Sequence, residues 1–487
     1  MDLVEQLDHI FSPKSIAVIG ASANPEKVGF MCVGNLLEAG FGGRVYPVNP
    51  RLSELFGLRA YPSVTAIPGE VDLAMVVIPA ELTISTIEEC VAKGIKGAIL
   101  ISGGFKEVGT EIGSDLQAQI RDVADRGGMK IIGPNTLGLV NSRINLNATF
   151  QTTFSLNKAG SVGVAAQSGG MCIYIANVLT NHNVGIDKIV SLGNRCNLDF
   201  DEVVTYFGQD KETEVIVLYV EGLEQPHRLI NAARQVTKQK PIVVYKAGRG
   251  GGVDRATLSH TGALAGKYEF YKAAFRQAGM IMVDDVTELV DVTKTLAFQP
   301  VAMGNRVAIF SVQAGPGIIM IDKCRELGLR LAQFSPTTRR RLKQLASPIN
   351  SADNPVDLGW KSDEFDACRE MLKIVLEDDS VDAVAVAAVF LGLNMEVMRA
   401  LIKVFYIARY LGKPIVVCLS SPGGSAYAEI NTLEESRIPT FPLPERAITG
   451  LAGLVKYGEI LKGSGGGGGI RTHGSDISEQ RFSRPSP

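Results

Sequence analysis

One histidine, His260, lies among small and hydroxyl side chains over residues 256–266, shortly after the glycine-rich run 248–252. Glycines let the main chain approach the oxygens of a phosphate, and successive backbone N–H groups bind an anion. An imidazole in such surroundings can act as a nucleophile toward phosphorus or as a general base. A histidine that only caps a loop is the alternative. Other stretches of the chain favour the chemical role.

A second stretch with chemical potential is Gln167-Ser168-Gly169-Gly170, which lies between an apolar run and the helical segment 171–179. The first turn of a helix has free N–H groups and a positive end, so this stretch can bind an anion. Ser168 could instead be the nucleophile of a hydrolase. Its flanking residues do not follow the G-x-S-x-G pattern of that class. We therefore predict a phosphate-binding site here.

Glu221 follows the β-branched run 215–220 at the end of a predicted strand. A carboxylate at that place can accept a hydrogen bond from a histidine ring, set its tautomer and stabilise the imidazolium. An exposed glutamate at the end of a strand, without a chemical role, is the alternative.

Several strand ends in the first third of the chain also carry residues suited to a ligand. The first strand runs into a loop and a helix start that can hold a phosphate, but the full dinucleotide fingerprint is absent. The second strand ends at Asn49, where an NAD site favours a carboxylate. Plain turns, or a nucleotide-type fold without a ligand, are the alternatives. The predicted ligand-binding residues at this sheet edge are Gly20, Ser22, Lys27, Asn49, Pro79, Ser102, Gly103 and Gly104, with Asn135 as a further phosphate-binding residue.

The elements that must position these residues alternate along the whole chain. Short β-branched runs separated by helical segments are typical of parallel sheets covered by helices. The runs form three groups, with breaks at 145–157 and 299–305. The fold class is therefore α/β, with three doubly wound domains. Their predicted limits are 1–143, 158–298 and 301–462, followed by a glycine-rich, polar tail, 463–487, that is predicted to be disordered.

Composition excludes several classes of function. The chain has 487 residues, of which 46% are hydrophobic and 21% charged, and a net charge of −2, so nothing favours nucleic acid or an anionic membrane as a partner. The seven cysteines form no CxxC pair, so we predict neither a metal site nor a disulfide framework. The N-terminus lacks the features of a signal peptide, and no apolar run reaches the ~20 residues of a membrane span. A cytoplasmic protein is expected.

Six motifs appear together in a characteristic order between about residue 10 and residue 460. They are the strand and turn 15–22, Gly133-Pro134-Asn135, Gln167-Ser168-Gly169, Ser191-Leu192-Gly193-Asn194, the histidine stretch 259–266, and Asn354-Pro355-Val356-Asp357. This set resembles the α subunit of NDP-forming acyl-CoA synthetases, the ADP-forming acetate–CoA ligase group related to succinyl-CoA synthetase. Thr136 and Cys196 depart from the usual pattern of that family.

The resemblance implies a CoA-binding Rossmann domain followed by two flavodoxin-like ligase domains. It implies that His260 carries a phosphoryl group between an acyl phosphate and a nucleotide, that Glu221 steadies it, and that CoA is a substrate. The reaction would convert acyl-CoA, phosphate and ADP reversibly into a carboxylic acid, CoA and ATP. The family also needs an ATP-grasp region for ATP or ADP with Mg²⁺.

This sequence contains neither a complete Walker A motif nor an ATP-grasp region. The resemblance therefore implies a separate ATP-grasp β subunit and a hetero-oligomer. A non-catalytic module that senses CoA is the alternative function, and an NAD-dependent oxidoreductase is disfavoured by Asn49. The sequence does not distinguish acetate, branched acids, aryl acids and succinate as the carboxylic acid.

Overall fold

The computed structural model describes residues 2–152, 154, 158–249, 268–346, 351–357, 365–389, 395–421 and 424–464. Helices and strands are numbered within these ranges. Three large sheets follow one another along the chain, and helices pack against each of them. The predicted α/β class with three doubly wound units is confirmed.

The first sheet contains five parallel strands in the order β2-β1-β5-β6-β7. Because all five strands are parallel, the loops after Ile19, Val48, Val76, Leu100 and Ile132 lie side by side at one edge of the sheet. The elements are α1 (Leu3–Phe11), β1 (Ser15–Ile19), α2 (Val28–Glu38), β2 (Arg44–Val48), the hairpin β3 (Glu54–Leu55) and β4 (Leu58–Arg59), β5 (Leu73–Val76), α3 (Thr83–Lys93), β6 (Gly97–Leu100), α4 (Glu111–Arg126) and β7 (Lys130–Ile132).

The second sheet has seven strands in the order β14-β13-β12-β10-β11-β8-β9. Its strands are β8 (Gly138–Asn141), β9 (Leu146–Thr149), β10 (Ala159–Ala166), β11 (Ile186–Ser191), β12 (Val215–Val220), β13 (Ile242–Lys246) and β14 (Ile281–Val283). Its helices are α5 (Gly169–Asn181), α6 (Phe200–Gln209), α7 (Pro226–Val236), α8 (Tyr268–Gln277) and α9 (Val286–Phe298).

The hairpin of β8 and β9 runs antiparallel to β11 and joins the second sheet. The domain limit predicted at residue 143 therefore falls inside this hairpin, and the predicted break 145–157 contains β9. Asparagines are typical turn residues, so no local pattern marked this segment as part of a sheet. In the structure their side chains tie the hairpin to the fold: Nδ2 of Asn141 donates to the carbonyl of Phe11 at 2.8 Å, and Nδ2 of Asn147 to that of Gln151 at 3.0 Å.

The third sheet has the order β16-β15-β18-β19-β20, with β17 beside β15. The described helix α15 ends at Ser464, two residues beyond the predicted domain end, and the rest of the predicted tail lies outside the described residues. The elements are β15 (Arg306–Ser311), α10 (Ala314–Glu326), β16 (Arg330–Leu331), α11 (Pro336–Leu345), β17 (Val356–Asp357), α12 (Phe365–Glu377), β18 (Ala383–Val389), α13 (Met395–Tyr410), β19 (Ile415–Ser420), α14 (Tyr427–Glu435), β20 (Thr440–Phe441) and α15 (Pro444–Ser464).

The units share buried contacts that fix their relative positions. Between the first two, the ring of Phe11 stacks on that of Tyr206 with 4.7 Å between centroids, and the Tyr206 hydroxyl donates to Asp8 at 2.8 Å. Between the last two, α9 packs along α15, and the buried Lys294 ammonium pairs with Glu434. Because apolar cores continue across both boundaries, the carboxyl edges of the first two sheets are held against each other.

The cysteines and the described helices bear on two classes of function considered above. All seven cysteines are buried and free. Burial raises the pKa of the Cys172 and Cys196 thiols to about 12, so neither is a ready nucleophile. Among the described helices none is long and apolar enough to cross a membrane.

Candidate active site

A cavity of about 290 Å³ lies where the carboxyl edges of the first and second sheets meet. The structure brings together in its wall all six described residues predicted for phosphate binding and histidine support. They are Asn135, Gln167, Ser168, Gly169, Gly170 and Glu221. The remaining wall residues were not predicted as site residues, and they are Ile101, Thr136, Leu137, Phe150, Ile173, Gly193 and Asn194.

Gln167 is the most constrained polar side chain of this cavity. It directly follows β10 and is 3% exposed. Its Oε1 accepts hydrogen bonds from the backbone N–H groups of Glu221 at 3.1 Å and Gly222 at 3.2 Å. Because both neighbours are donors, the amide must present its oxygen to them and its nitrogen elsewhere. Nε2 is buried and has no hydrogen-bond partner among the described residues.

A buried amide nitrogen without an acceptor is costly, and native structures rarely keep one. An anionic oxygen in the cavity would supply the missing acceptor. Gln167 Nε2 is thus a second donor group at the cavity besides the start of α5.

The start of α5 is shaped by Ser168, Gly169 and Gly170. Oγ of Ser168 caps the helix and accepts from the N–H of Met171 at 3.3 Å, which favours a capping role over that of a hydrolase nucleophile. A Cβ at Gly169 would lie 3.1 Å from Cβ of Leu137, so the helix packs closely on the neighbouring loop. Gly170 is exposed, and of the residues that the structure describes, a Cβ there would contact only Ser168, with Oγ at 3.8 Å. The helix start therefore leaves room for a ligand beside its N–H groups.

Asn135 reaches the cavity on a loop that abuts the turn after β11. Its backbone is left-handed, with φ of 56°, and its N–H donates to the carbonyl of Ser102 at 2.9 Å. A Cβ at Gly193 would lie 2.4 Å from the oxygen of Pro134, so glycine alone allows this approach. The N–H of Asn194 then donates to the same carbonyl at 2.9 Å. These contacts join the first sheet to the second at the site.

Glu107 is a residue that sequence reasoning missed. Its Oε1 accepts from the N–H groups of Gly104 at 2.6 Å and Phe105 at 3.2 Å, and its Oε2 accepts from Nδ2 of Asn194. The N–H of Gly104, which was predicted to face a ligand, is therefore occupied by a carboxylate of the protein itself. The only signal in the sequence is the position of Glu107 shortly after a Gly-Gly turn.

The residues predicted for CoA lie at neighbouring strand ends of the first sheet, outside the cavity described above. Gly20 has φ of 92°, and a Cβ there would lie 2.2 Å from the carbonyl oxygen of Val77. The side chain of Asn49 donates to the carbonyl of Ala21 at 2.7 Å and accepts from the N–H of Arg51 at 2.8 Å. Asn49 therefore also fastens the loop after β1.

The other five residues predicted at this edge comprise two half-buried serines and three exposed residues. Oγ of Ser102 donates to the carbonyl of Ile78 at 2.5 Å, whereas Oγ of Ser22 accepts from the N–H of Asn24 at 3.1 Å. The remaining three are exposed on the surface of this edge, and they are Lys27, Pro79 and Gly103.

Glu221 is 8% exposed and directly follows β12. Burial, the Glu221 charge and Tyr245 together raise the pKa of Tyr219, so this tyrosine stays protonated. His260, its predicted partner, lies outside the described residues. The nearest described residues on either side, Arg249 and Tyr268, contact each other, with the guanidinium 5.3 Å from the ring centroid.

The Asn-Pro-Val-Asp motif lies in the third unit and has a structural use. Nδ2 of Asn354 donates to the carbonyls of Val307 and Ala332, both at 2.9 Å. Its Oδ1 accepts from the N–H of Ile309, also at 2.9 Å. The Asn354 amide thus bonds to β15 and to the loop after β16.

Comparison with known proteins agrees with this architecture. A CoA-binding domain matches residues 14–142, and a flavodoxin domain of the succinyl-CoA ligase type matches residues 159–296. The α subunit of ADP-forming acetate–CoA ligase II from Pyrococcus furiosus is 38% identical over 465 residues, which cover 94% of this chain and 99% of that subunit. The chain belongs to the ADP-forming acetate–CoA ligase family. The resemblance drawn from the motifs is confirmed.

Two further relatives define this family member more closely. ADP-forming acetate–CoA ligase I from Archaeoglobus fulgidus is 39% identical over 93% of this chain, which spans 64% of that longer protein. The structure of an acetyl-coenzyme A synthetase from Candidatus Korarchaeum cryptofilum, solved with phosphate and ADP, superimposes with a TM-score of 0.87 at 32% identity, covering 96% of this chain and 99% of that one. The chain is accordingly a ligase subunit of the ADP-forming type, and the CoA-sensing alternative is disfavoured.

Proposed function

We propose that this chain is the CoA- and phosphate-handling subunit of a synthetase that interconverts acyl-CoA, phosphate and ADP with a small carboxylic acid, CoA and ATP. The observation that carries the proposal is the buried Nε2 of Gln167, a fixed donor without a described partner beside the start of α5. Two independent sets of N–H donors that converge on one cavity suit a phosphate.

The first step is the formation of an acyl phosphate. An oxygen of phosphate attacks the thioester carbon, the new C–O bond forms, and the C–S bond breaks as CoA leaves and takes up a proton. The N–H groups of Gly169 and Gly170 and Nε2 of Gln167 would orient the phosphate. The CoA-binding domain match and the first-sheet edge at Gly20 and Asn49 support delivery of CoA from that side.

The second step transfers the phosphoryl group to His260. A ring nitrogen attacks phosphorus, the N–P bond forms, and the P–O bond to the acyl group breaks as the carboxylate leaves. Glu221 would accept a hydrogen bond from the other ring nitrogen and stabilise the positive ring. Two facts support this pairing: β13, which leads toward the histidine segment, pairs with β12, and Arg249 contacts Tyr268 at the two ends of that segment.

The last step passes the phosphoryl group to ADP on a partner. We propose an ATP-grasp β subunit that holds ADP or ATP with Mg²⁺, and hence a hetero-oligomer. Support comes from the relative named as an α subunit, of which this chain spans 99%. Seven buried, free cysteines suit a reducing compartment, which supports our proposal that the reaction takes place in the cytoplasm.

Labelled inorganic phosphate tests the proposal. The purified chain is incubated with the label, with and without acetyl-CoA, in the absence of ADP, and protein-bound label is measured after denaturation. Label that depends on acetyl-CoA is expected, because only the acyl phosphate can phosphorylate the histidine. Absence of bound label, or the same label without acetyl-CoA, would contradict the proposed reaction.

A further inference from the structure

Three polar side chains form a continuous hydrogen-bonded line from the Gly-Gly turn of the first unit to the cavity. They are Glu107, Asn194 and Asn135, here called the amide relay. We propose that Glu107 is a positioning residue that sets, through Asn194, which end of the Asn135 amide faces the phosphate. This inference rests on the proposed function, because it assumes that the cavity binds phosphate.

The relay begins at the carboxylate of Glu107, which has only acceptors when ionised. One oxygen is held by the N–H groups of Gly104 and Phe105, at 2.6 and 3.2 Å. The other oxygen is therefore the one that faces the second unit, where it accepts from Nδ2 of Asn194. A group opposite Glu107 at this point has to be a donor.

The Glu107 carboxylate fixes the orientation of the Asn194 amide. Asn194 is 7% exposed, and its Nδ2 donates both to Glu107 and to Oε1 of Gln117, the latter at 3.0 Å. Because the Glu107 carboxylate can only accept, the amide of Asn194 cannot turn over without placing its oxygen against that carboxylate. Oδ1 of Asn194 must point away from Glu107, toward Asn135.

Asn135 is the end of the relay and lines the cavity. Its Nδ2 donates to Oδ1 of Asn194 at 3.5 Å, the longer of the two contacts within the relay. The backbone of Asn135 is fixed because its N–H donates to the carbonyl of Ser102 at 2.9 Å. The orientation of the side-chain amide therefore depends only on the side-chain torsions. The hydrogen bond to Asn194 requires that Nδ2 of Asn135, and not its Oδ1, faces Asn194. A second N–H of the same nitrogen is then available to an anion.

Glu107→Gln inverts the relay. The oxygen of the new amide can still accept from Gly104 and Phe105, but its nitrogen then faces the Nδ2 of Asn194, donor against donor. Relief requires Asn194 to turn over, which places its Nδ2 against that of Asn135 and turns that amide as well. An oxygen then replaces an N–H at the cavity. Phosphate affinity should fall roughly 10- to 100-fold, the effect of losing one hydrogen bond to a charged ligand.

The charge change alone predicts the opposite sign. Glu107→Gln removes a negative charge near the cavity, so a purely Coulombic effect would tighten phosphate binding. The compensating change is Asn194→Asp in the same chain. The introduced carboxylate would accept from the introduced amide and from Asn135, so Asn135 returns to its original orientation, with Gln117 turning its own amide to donate. Coulomb repulsion predicts that Asn194→Asp weakens phosphate binding further, whereas the relay predicts recovery.

The experiment measures the dissociation constant of the full-length chain for inorganic phosphate. The variants are Glu107→Gln, Glu107→Gln with Asn194→Asp, and Asn194→Ala, which breaks the relay without touching the Gly-Gly turn. Glu224→Gln is the matched control, because Glu224 pairs with Lys106 across the same boundary at 2.5 Å and is 55% exposed. Melting temperatures establish that each variant is folded.

Weaker binding is expected for Glu107→Gln and Asn194→Ala, recovery of most of the loss in the double variant, and unchanged binding for Glu224→Gln. Wild-type affinity in both single variants, or a double variant no tighter than Glu107→Gln, would overturn the relay and leave the proposed function in place. Failure of the unchanged chain to bind phosphate would overturn the proposed function and the relay with it.

Discussion

Oε1 of Gln167 accepts a hydrogen bond from the backbone N–H of Glu221 at 3.1 Å, which joins the end of β10 to the end of β12. This bond has two consequences. It fixes the orientation of the Gln167 amide, so that Nε2 is the atom left for a ligand. It also fixes the distance between the phosphate donors and the carboxylate proposed to support His260. The donors follow β10 and the carboxylate follows β12, and these two strands are hydrogen-bonded to each other.

Gln167→Ala should weaken phosphate binding and slow phosphorylation of the chain. The change removes the buried donor and leaves the N–H groups of Glu221 and Gly222 without their acceptor, so a loss of roughly tenfold or more is expected. The measurement is the rate of labelling by acetyl phosphate, with CoA affinity as the internal control because the first-sheet edge is untouched. Equal labelling rates would contradict the role of Gln167.

Glu221→Gln should keep the hydrogen bond to the histidine ring and lose the charge that stabilises it. Phosphoryl transfer is expected to slow by roughly 10²-fold or more, as for a positioned acid–base partner. Rapid-quench labelling follows the transfer step directly. Glu224→Gln serves as a control nearby in the chain, since its carboxylate lies on the exposed surface. A transfer rate within threefold of the wild type would exclude a role for the Glu221 charge.

The sequence predicted those site residues whose position in the chain, directly after a strand, is enough to place them at the site. Gln167, Ser168 and Glu221 each follow a strand of a parallel sheet, and parallel topology brings such strand ends to one edge. Glu107 was missed, and Asn194 was singled out only as part of a motif, because their roles depend on a contact between two residues 87 positions apart in the chain. No local pattern encodes that contact.

In the fold, too, local patterns predicted some elements, while others depend on contacts that are distant in the chain. Alternating runs predicted the three units, whereas the β8–β9 hairpin was divided between a first domain that ended at residue 143 and a break at 145–157. Its pairing with β11 is antiparallel and depends on a tertiary neighbour, and Asn145, in the left-handed region with φ of 53°, looks like an ordinary turn residue. The Asn354 motif was correctly singled out, but the sequence could not tell a site residue from one that fastens β15.

Asn354→Ala should reduce the stability of the chain. The change leaves the carbonyls of Val307 and Ala332 and the N–H of Ile309 without their partners, which should cost about 2–4 kcal/mol in the free energy of unfolding. Urea titration measures the loss.

Asp353→Asn is the control for this stability test. The side chain of this exposed neighbour forms a 3.4 Å ion pair with Arg339 and accepts from the N–H of Asn354 at 3.1 Å. The amide oxygen of an asparagine can still accept that hydrogen bond, and an exposed ion pair adds little stability. An Asn354→Ala variant as stable as the control would contradict the structural role.

His182 should make the chain less stable in acid. Burial, followed by the positive charges of Lys294 and Arg446, lowers the pKa of His182 to about 4, although Glu434 opposes the shift. The unfolded chain, with a pKa near 6.5, binds a proton that the folded chain excludes. Stability should therefore fall as pH drops from about 6.5 toward 4 and show no contribution from His182 above that window.

Urea unfolding of the wild type and His182→Asn between pH 7 and pH 4.5 measures this effect. The variant should show a shallower decline, while the exposed His227→Asn should decline as the wild type does. Parallel curves for the wild type and His182→Asn would show that the half-buried ring does not control acid stability.

The most direct test of the central claim is the identity of the phosphorylated residue. The purified chain, His260→Ala and His227→Ala are each incubated with labelled acetyl phosphate, and acid-labile, protein-bound phosphate is measured. The account predicts label on the wild type and on His227→Ala, none on His260→Ala, and the same CoA affinity in all three. Wild-type label on His260→Ala would show that another residue carries the phosphoryl group.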